Sequence, residues 1–445
     1  MGRQVPGRVV RLRRSAPRRQ PRHLTTPAAT EAERALVAVH RDERARLLAT
    51  LVRLAERDID AAEDALADAM ASALSAWTRD GVPRAPGAWI LTAARRRLLD
   101  AARQRRRHPT DPLGPDDAWA AEPEGTPVDD AIETVPDDLL RLIFTCCHPA
   151  LAMPARVALT LRTVAGLETP EIARAFLEAE PTTAQRLVRA KQKIRDAGIP
   201  YRIPELGDLP ERLGGVLEVL YLVFNEGYSA TRGDAFVRRD LCEQAIRLAE
   251  QTALLLPREP EPLGLLALMQ FHHARRDGRV SDDGTIVPLE EQPRDRWDRE
   301  AIARAHAQLV RAMHFGRPGP YQIQAAIAGL HAQARTPAET DWPQIVQLYQ
   351  ALLRWQPTPV VELNHAVALA MAKGPAWGLA QLEALDASLA GYHLLHAARA
   401  DLLRRDGRPA EARQAYARAL DLVTHEAERR YLERRLAEVA AAAGH

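Results

Sequence analysis

Apolar residues return every three to four positions along most of this 445-residue chain, and no stretch shows the alternation of a half-buried strand. The pattern predicts an almost all-α protein. Over residues 58–77, Ile59, Ala62, Leu66, Ala69, Met70, Ala73 and Trp77 fall on one helical stripe. Over residues 88–108 the stripe is Trp89, Leu91, Ala94, Leu98, Leu99 and Ala102. A third passes through Leu139, Leu142, Ile143, Cys146 and Ala150, and His148 ahead of Pro149 closes it, because a residue before proline avoids helix. A fourth is Leu187, Ala190 and Ile194. Clusters of proline and glycine interrupt the pattern at residues 80–89, 109–130, 198–210 and 277–297.

The chain is too long for one core, so the interruptions become candidate boundaries. They divide it into helices over 31–108, an acidic Pro/Gly-rich linker over 109–136, short helices over 137–200 and a long helical part over 205–445. That last part holds a weak internal repeat: residues 363–386 resemble residues 395–421, each reading as helix, glycine turn, helix. Gly374 and Gly407 lie close to the roughly 34-residue period of stacked helical repeats. Ala410, Tyr416 and Ala419 give a small–aromatic–small pattern for helix pairing. Such units bury a face only by stacking, and the resulting concave surface suits a protein partner.

Charge alters the picture locally rather than globally. The formal net charge is +2, and lysine occurs only at Lys191, Lys193 and Lys373. With arginine used so generally, only clusters of arginine lacking acids carry weight. Residues 1–30 form a basic tail, expected to be disordered: either an arm for nucleic acid or residues added by an early start codon. No apolar run is long enough for a bilayer, and the tail has no apolar core of a secretory signal. Three cysteines without paired spacing fit a reducing cytosol. A metal or thiol site built on Cys146, Cys147, His148, Cys242, His272 and His273 is disfavoured, since adjacent ligands on a helix diverge by about 100° and zinc sites prefer a spacer. No cofactor, metal or enzymatic chemistry is expected.

Three constellations remain. Asp60, Asp64 and Asp68 recur at four-residue spacing beside Glu63, a row of like charges that suggests a face kept for a basic partner. Arg95, Arg96, Arg97, Arg103, Arg105, Arg106 and Arg107 follow within 13 positions, opposed only by Asp100, as a phosphate-binding helix would be. Then Gly166 ends a helix, Thr169 with Pro170 and Glu171 starts a short one, and Pro181 opens another. The last helix shows Thr182, Gln185, Arg186, Arg189 and Lys193 on the face opposite its apolar stripe, the groups that base edges and phosphates require.

Taken together, "AEDALADAM", "PGAWILTAARRRLLDAARQRRR" and "GLETPEIARAF…TTAQRLVRAKQKI" resemble the extracytoplasmic-function sigma factors of bacterial RNA polymerase. "YLVFNEGY", "LLALMQFHHAR", "DRWDREAI" and "GPYQIQAAIAGLHA" resemble the subgroup with a long, repeat-like C-terminal extension. The resemblance implies a cytoplasmic, non-enzymatic transcription initiation factor. Asp60, Glu63, Asp64 and Asp68 would dock on the polymerase β′ clamp. Trp89 and the arginines 95–97, 103 and 105–107 would engage the melted −10 element, with a base flipped into the loop 78–86 at a cost of about a few kcal/mol. Thr182, Gln185, Arg186, Arg189 and Lys193 would read the −35 element in a helix-turn-helix that also meets the β flap. The acidic segment 111–138 would thread a nucleic-acid channel and shield the basic helix in the free chain. Two departures stand out: Ala67 and Asp68 replace the usual Gln and Glu after the AED motif, and Glu178 and Glu180 precede the last helix, where they should point away from DNA. The extension would regulate in cis. The alternative is a helix-turn-helix adaptor or regulator that does not bind core polymerase.

Overall fold

The computed structural model describes residues 27–107, 135–176, 178–228, 239–281 and 283–443. The expected tail over 1–30 and linker over 109–136 therefore lie outside the described residues, apart from helical backbone at 27–30 and 135–136. The described residues form 20 α-helices, with one isolated bridge, Val280–Ile286, as the sole β pairing among them. The all-α expectation holds.

Helices α1 (Pro27–Asp42), α2 (Arg44–Leu54), α3 (Ile59–Asp80) and α4 (Pro86–Arg107) pack around Leu48, Leu51, Leu66, Ala69, Ile90 and Ala94. The α3 stripe is buried as read, except that Met70 sits at its margin and Ala65 joins it. In α4 the register differs. Ile90 is buried while Leu99 is 48% exposed, because Leu99 lies about 180° around the helix from Ile90 and about 100° from Leu98. Trp77 and Trp89 meet edge to face, 5.7 Å between centroids, and lock the ends of α3 and α4 together.

Helices α5 (Val135–Cys146), α6 (Met153–Thr163), α7 (Thr169–Ala175) and α8 (Glu180–Asp196) surround Phe144, Leu159, Leu161, Ile172 and Leu187. Glu168, not Thr169, ends up in the capping position: its carbonyl accepts from Glu171 and Ile172, and its own N–H donates to the Glu171 carboxylate at 2.7 Å. Ala150 is exposed beyond the end of α5 and leaves the expected stripe. Cys147, beside the stripe, is also buried, at 2% exposure.

All three cysteines are buried. Cys146 meets the Thr163 hydroxyl at 3.1 Å and Cys147 the Thr160 hydroxyl at 3.5 Å, while Cys242 lies under the Phe224 carbonyl. Burial pushes the Cys147 thiol up to about 11 and Cys242 up to about 12. None is expected to react with a thiol reagent until the chain unfolds; labelling of native protein at neutral pH on a scale of minutes would contradict this.

From α9 (Leu209–Tyr228) onward come α10 (Arg239–Leu255), α11 (Pro260–His273), α12 (Arg299–Met313) and α13 (Pro320–Gln333). They share one continuous core with α1–α8 that runs from Ala32 to Ala332. The boundary near residue 205 is thus not a break in packing. Arg212 of α9 donates to the Phe144 carbonyl at 2.9 Å, and α9 rests on α5 and α6. The interruption at 277–297 is also no simple surface loop. Arg279, Arg294 and Trp297 are buried in it, with the Arg279 guanidinium 3.3 Å over the Tyr228 ring and Arg294 donating to the His331 carbonyl.

Smaller cores then succeed one another through α14 (Trp342–Leu353), α15 (Pro359–Lys373), α16 (Pro375–Glu383), α17 (Asp386–Leu389), α18 (His393–Arg405), α19 (Pro409–Leu422) and α20 (Glu426–Ala443). Ile345 and Ala368 centre one, Leu382 and Leu395 the next, Tyr416 and Ala419 the last. Ala410 is exposed, and Ala412 and Ala415 take its place beside Tyr416. Gly374 and Gly407 turn the chain with φ of 109° and 74°, and a Cβ there would meet nothing within 4 Å. Alanine at either position should therefore cost about 1–3 kcal/mol, all of it backbone strain. Urea unfolding checks this, and a change below about 0.3 kcal/mol would contradict it.

Candidate functional site

The acidic row on α3 begins with Asp58, whose carboxylate caps the helix by accepting from the Ala61 N–H at 3.1 Å. Asp60 and Glu63, which follow it, do not face solvent unopposed. Lys191 of α8 donates to Asp60 at 2.8 Å and to Glu63 at 2.6 Å, and Arg195 donates to Asp60 at 2.8 Å. The other Glu63 oxygen lies 3.8 Å from both Arg44 and Arg162 with no hydrogen bond. The Lys191 side chain is 11% exposed and that of Glu63 12%. Burial alone would raise the Asp60 carboxyl, but the hydrogen bonds and charges of Lys191 and Arg195 outweigh it and hold the carboxyl below its ordinary value. Burial likewise pulls Lys191 down, and Glu63 and Asp60 more than offset it.

The other two acids behave differently. Asp68 pairs with Arg97 of α4 at 2.9 Å, and the same guanidinium donates to the Ser72 hydroxyl. Asp64 is raised above its ordinary value by partial burial and then by the charges of Asp60 and Asp68. The expectation of an uncompensated acidic row is therefore corrected. Cations distant in sequence, invisible to helical spacing, neutralise most of it.

On α4, Arg95 is exposed, Arg96 is half-buried, and Arg103 pairs with Asp100 at 3.1 Å. The side chains of Arg105, Arg106 and Arg107 lie outside the described residues. Trp89 is half-buried against Trp77. The α3–α4 connection is shorter than the expected 78–86, since Thr78 to Asp80 remain helical and the Thr78 hydroxyl donates to the Leu74 carbonyl.

Helix α8 has three faces, set by 100° per residue. Thr183, Leu187, Ala190 and Ile194 point inward. Thr182, Gln185, Arg189 and Lys193 are exposed on the outer face and, with Arg186, line a groove of about 450 Å³ closed by Ala150, Leu151, Ala152 and Ala155. Lys191 and Arg195 occupy the third face, toward α3. Glu178 turns back onto α8. It forms a two-pronged pair with Arg186 and accepts from the Thr183 hydroxyl at 3.1 Å, so Arg186 is braced rather than free. Glu180 is exposed.

The contact between α8 and α3 belongs to a longer seam that sequence reasoning missed. Asp138, expected within an acidic segment threading a channel, is fully buried in α5 between Arg53 of α2 and Arg141, at 2.9 Å from each. The Tyr201 hydroxyl lies 2.7 Å from the Ala49 carbonyl and 3.1 Å from the Asp138 carbonyl. Arg44 donates to the Arg162 and Thr163 carbonyls, which satisfies the end of α6. The one available signal was composition: two of the chain's three lysines sit within three positions of each other on α8. Among the described residues no three His, Cys, Asp or Glu side chains gather as a metal site, and no helix is long and apolar enough to cross a membrane.

Residues 39–108 match sigma-70 region 2, and residues 212–313 match a family of unknown function (DUF6596). The uncharacterized protein R00370 of Rhizobium meliloti (strain 1021) is 44% identical over 388 residues, covering 86% of this chain and 91% of its own length. Region 2 is the part of sigma-70 proteins that binds polymerase core and recognises the −10 element. The match spans α2, α3 and α4, with the acidic row and the basic helix inside it. The chain thus belongs to one family with the rhizobial protein, and its residues 39–108 carry a sigma-70 region 2 that supports a sigma-70 family factor.

Proposed function

We propose that the chain is an extracytoplasmic-function sigma factor of the subgroup with a helical-repeat extension, acting in the cytoplasm to direct polymerase core to specific promoters. The observation that carries this reading is the outer face of α8. C-terminal to the region 2 match, beyond α5 and α6, a helix preceded by the short α7 shows hydroxyl, amide and basic groups in an open groove. In this reading α7 and α8 are the helix-turn-helix of a −35-reading domain. Gln185 and Arg186 contact base edges, while Thr182, Arg189 and Lys193 hold phosphates. Trp89, Arg95, Arg96, Arg97, Arg103 and the arginines 105–107 serve the −10 element, and Asp60, Glu63, Asp64 and Asp68 serve the β′ clamp.

The extension modulates this activity in cis. A cut near residue 205 would strip α9 from α5 and α6, so the better truncation ends after Ala334, beyond the shared core. Run-off transcription with core polymerase should differ between the full chain and this truncation, and identical output would refute regulation by α14–α20. The second reading, an adaptor that does not bind core, is favoured by one observation: Glu63 is covered and Asp60 is already paired with Lys191 and Arg195.

A further inference from the structure

We propose that the Lys191–Arg195 edge of α8 is a built-in plug for the acidic face of α3, so that the closed chain and polymerase docking exclude each other. This rests on the reading that Asp60 and Glu63 dock on core. Two cations one turn apart on a helix grip two carboxylates one turn apart on another, with the central Lys191–Glu63 pair largely withdrawn from solvent. A partner that fits the α3 face must present the same chemistry, a basic helix with cations at four-residue spacing. The same carboxylate oxygens cannot serve both helices.

The plug uses a face of α8 distinct from its DNA-facing one. Lys191 and Arg195 point at α3, while Gln185, Arg189 and Lys193 remain exposed on the other side. The closed chain therefore covers Glu63 and engages Asp60 while leaving the outer groove open. The seam around it gives the plug its geometry: Arg53–Asp138, Tyr201 against Ala49, and Arg44 on the end of α6 hold α2 and α3 in register with α5, α6 and α8. If the open form is a minor population, apparent affinity for core falls by that fraction, and weakening the plug restores it.

The test measures the affinity of purified core polymerase for the full-length chain and three variants. K191E/R195E should bind core about tenfold more tightly or better than the unmodified chain. K191Q, which removes one charge without reversal and keeps the chain folded should the double variant fail, should shift affinity the same way by about threefold. D60K/E63K should bind core more weakly than the unmodified chain. If D60K/E63K weakens binding but neither α8 variant strengthens it, the plug is wrong and the docking reading survives. If D60K/E63K leaves affinity for core unchanged, the docking reading fails and takes the plug with it.

Discussion

Replacing Asp138 with alanine should destabilise the folded chain by about 2–4 kcal/mol, because removing one partner of a buried pair leaves the other charges uncompensated. The carboxylate is fully buried and holds Arg53 from α2 and Arg141 from its own helix, each at 2.9 Å. Both guanidiniums reach solvent, with side chains 36% and 29% exposed, which sets the value toward the low end of such losses. Asparagine preserves the shape and should cost less than alanine. Urea unfolding followed by circular dichroism reads both. A loss below about 1 kcal/mol for Asp138→Ala would mean that the α2–α5 seam is held by apolar packing alone.

The second large effect concerns the outer face of α8. Arg189→Ala together with Lys193→Ala should lower affinity for promoter DNA by about 100-fold at low salt and flatten the salt dependence by about two ion equivalents. Both side chains are exposed beside the groove and are absent from the contact with α3, so folding should be unaffected. Loss of affinity with no change in salt slope would mean that these cations do not touch phosphates. Arg186 should behave differently, since Glu178 already binds it. Glu178→Gln would release the guanidinium and test whether the brace sets base preference.

How far the sequence carried these conclusions depended on the range of each interaction. Stripes such as Ile59–Ala62–Leu66–Ala69–Ala73–Trp77 are local in the chain, and helical spacing alone places them inside. The same holds for Leu187, Ala190 and Ile194, and for the outward face from Thr182 to Lys193. Spacing failed where a partner comes from far along the chain. Asp60 meets Lys191 across 131 positions and Asp138 meets Arg53 across 85, and no periodicity records either pairing. It failed at Leu99, which follows Leu98 by about 100° and lies on the opposite side of the helix from Ile90. It also misjudged acids by their neighbours: Glu178 was read as a repulsive charge beside DNA, whereas the arginine two turns ahead captures it. The packing of α9 onto α5 and α6 was hidden for a related reason, since a Pro/Gly-rich segment marks a turn but not the end of a core.

The claim that this is a promoter-selecting sigma factor is tested most directly by transcription from fragmented genomic DNA. Core polymerase is incubated with and without the full-length chain, and the 5′ ends of the transcripts are sequenced. The account predicts a discrete set of start sites that require the chain, share sequence elements near −10 and −35, and disappear with Arg189→Ala/Lys193→Ala. Start sites unchanged by adding the chain or the K191E/R195E variant, with no complex formed with core, would contradict it and leave the adaptor reading in place.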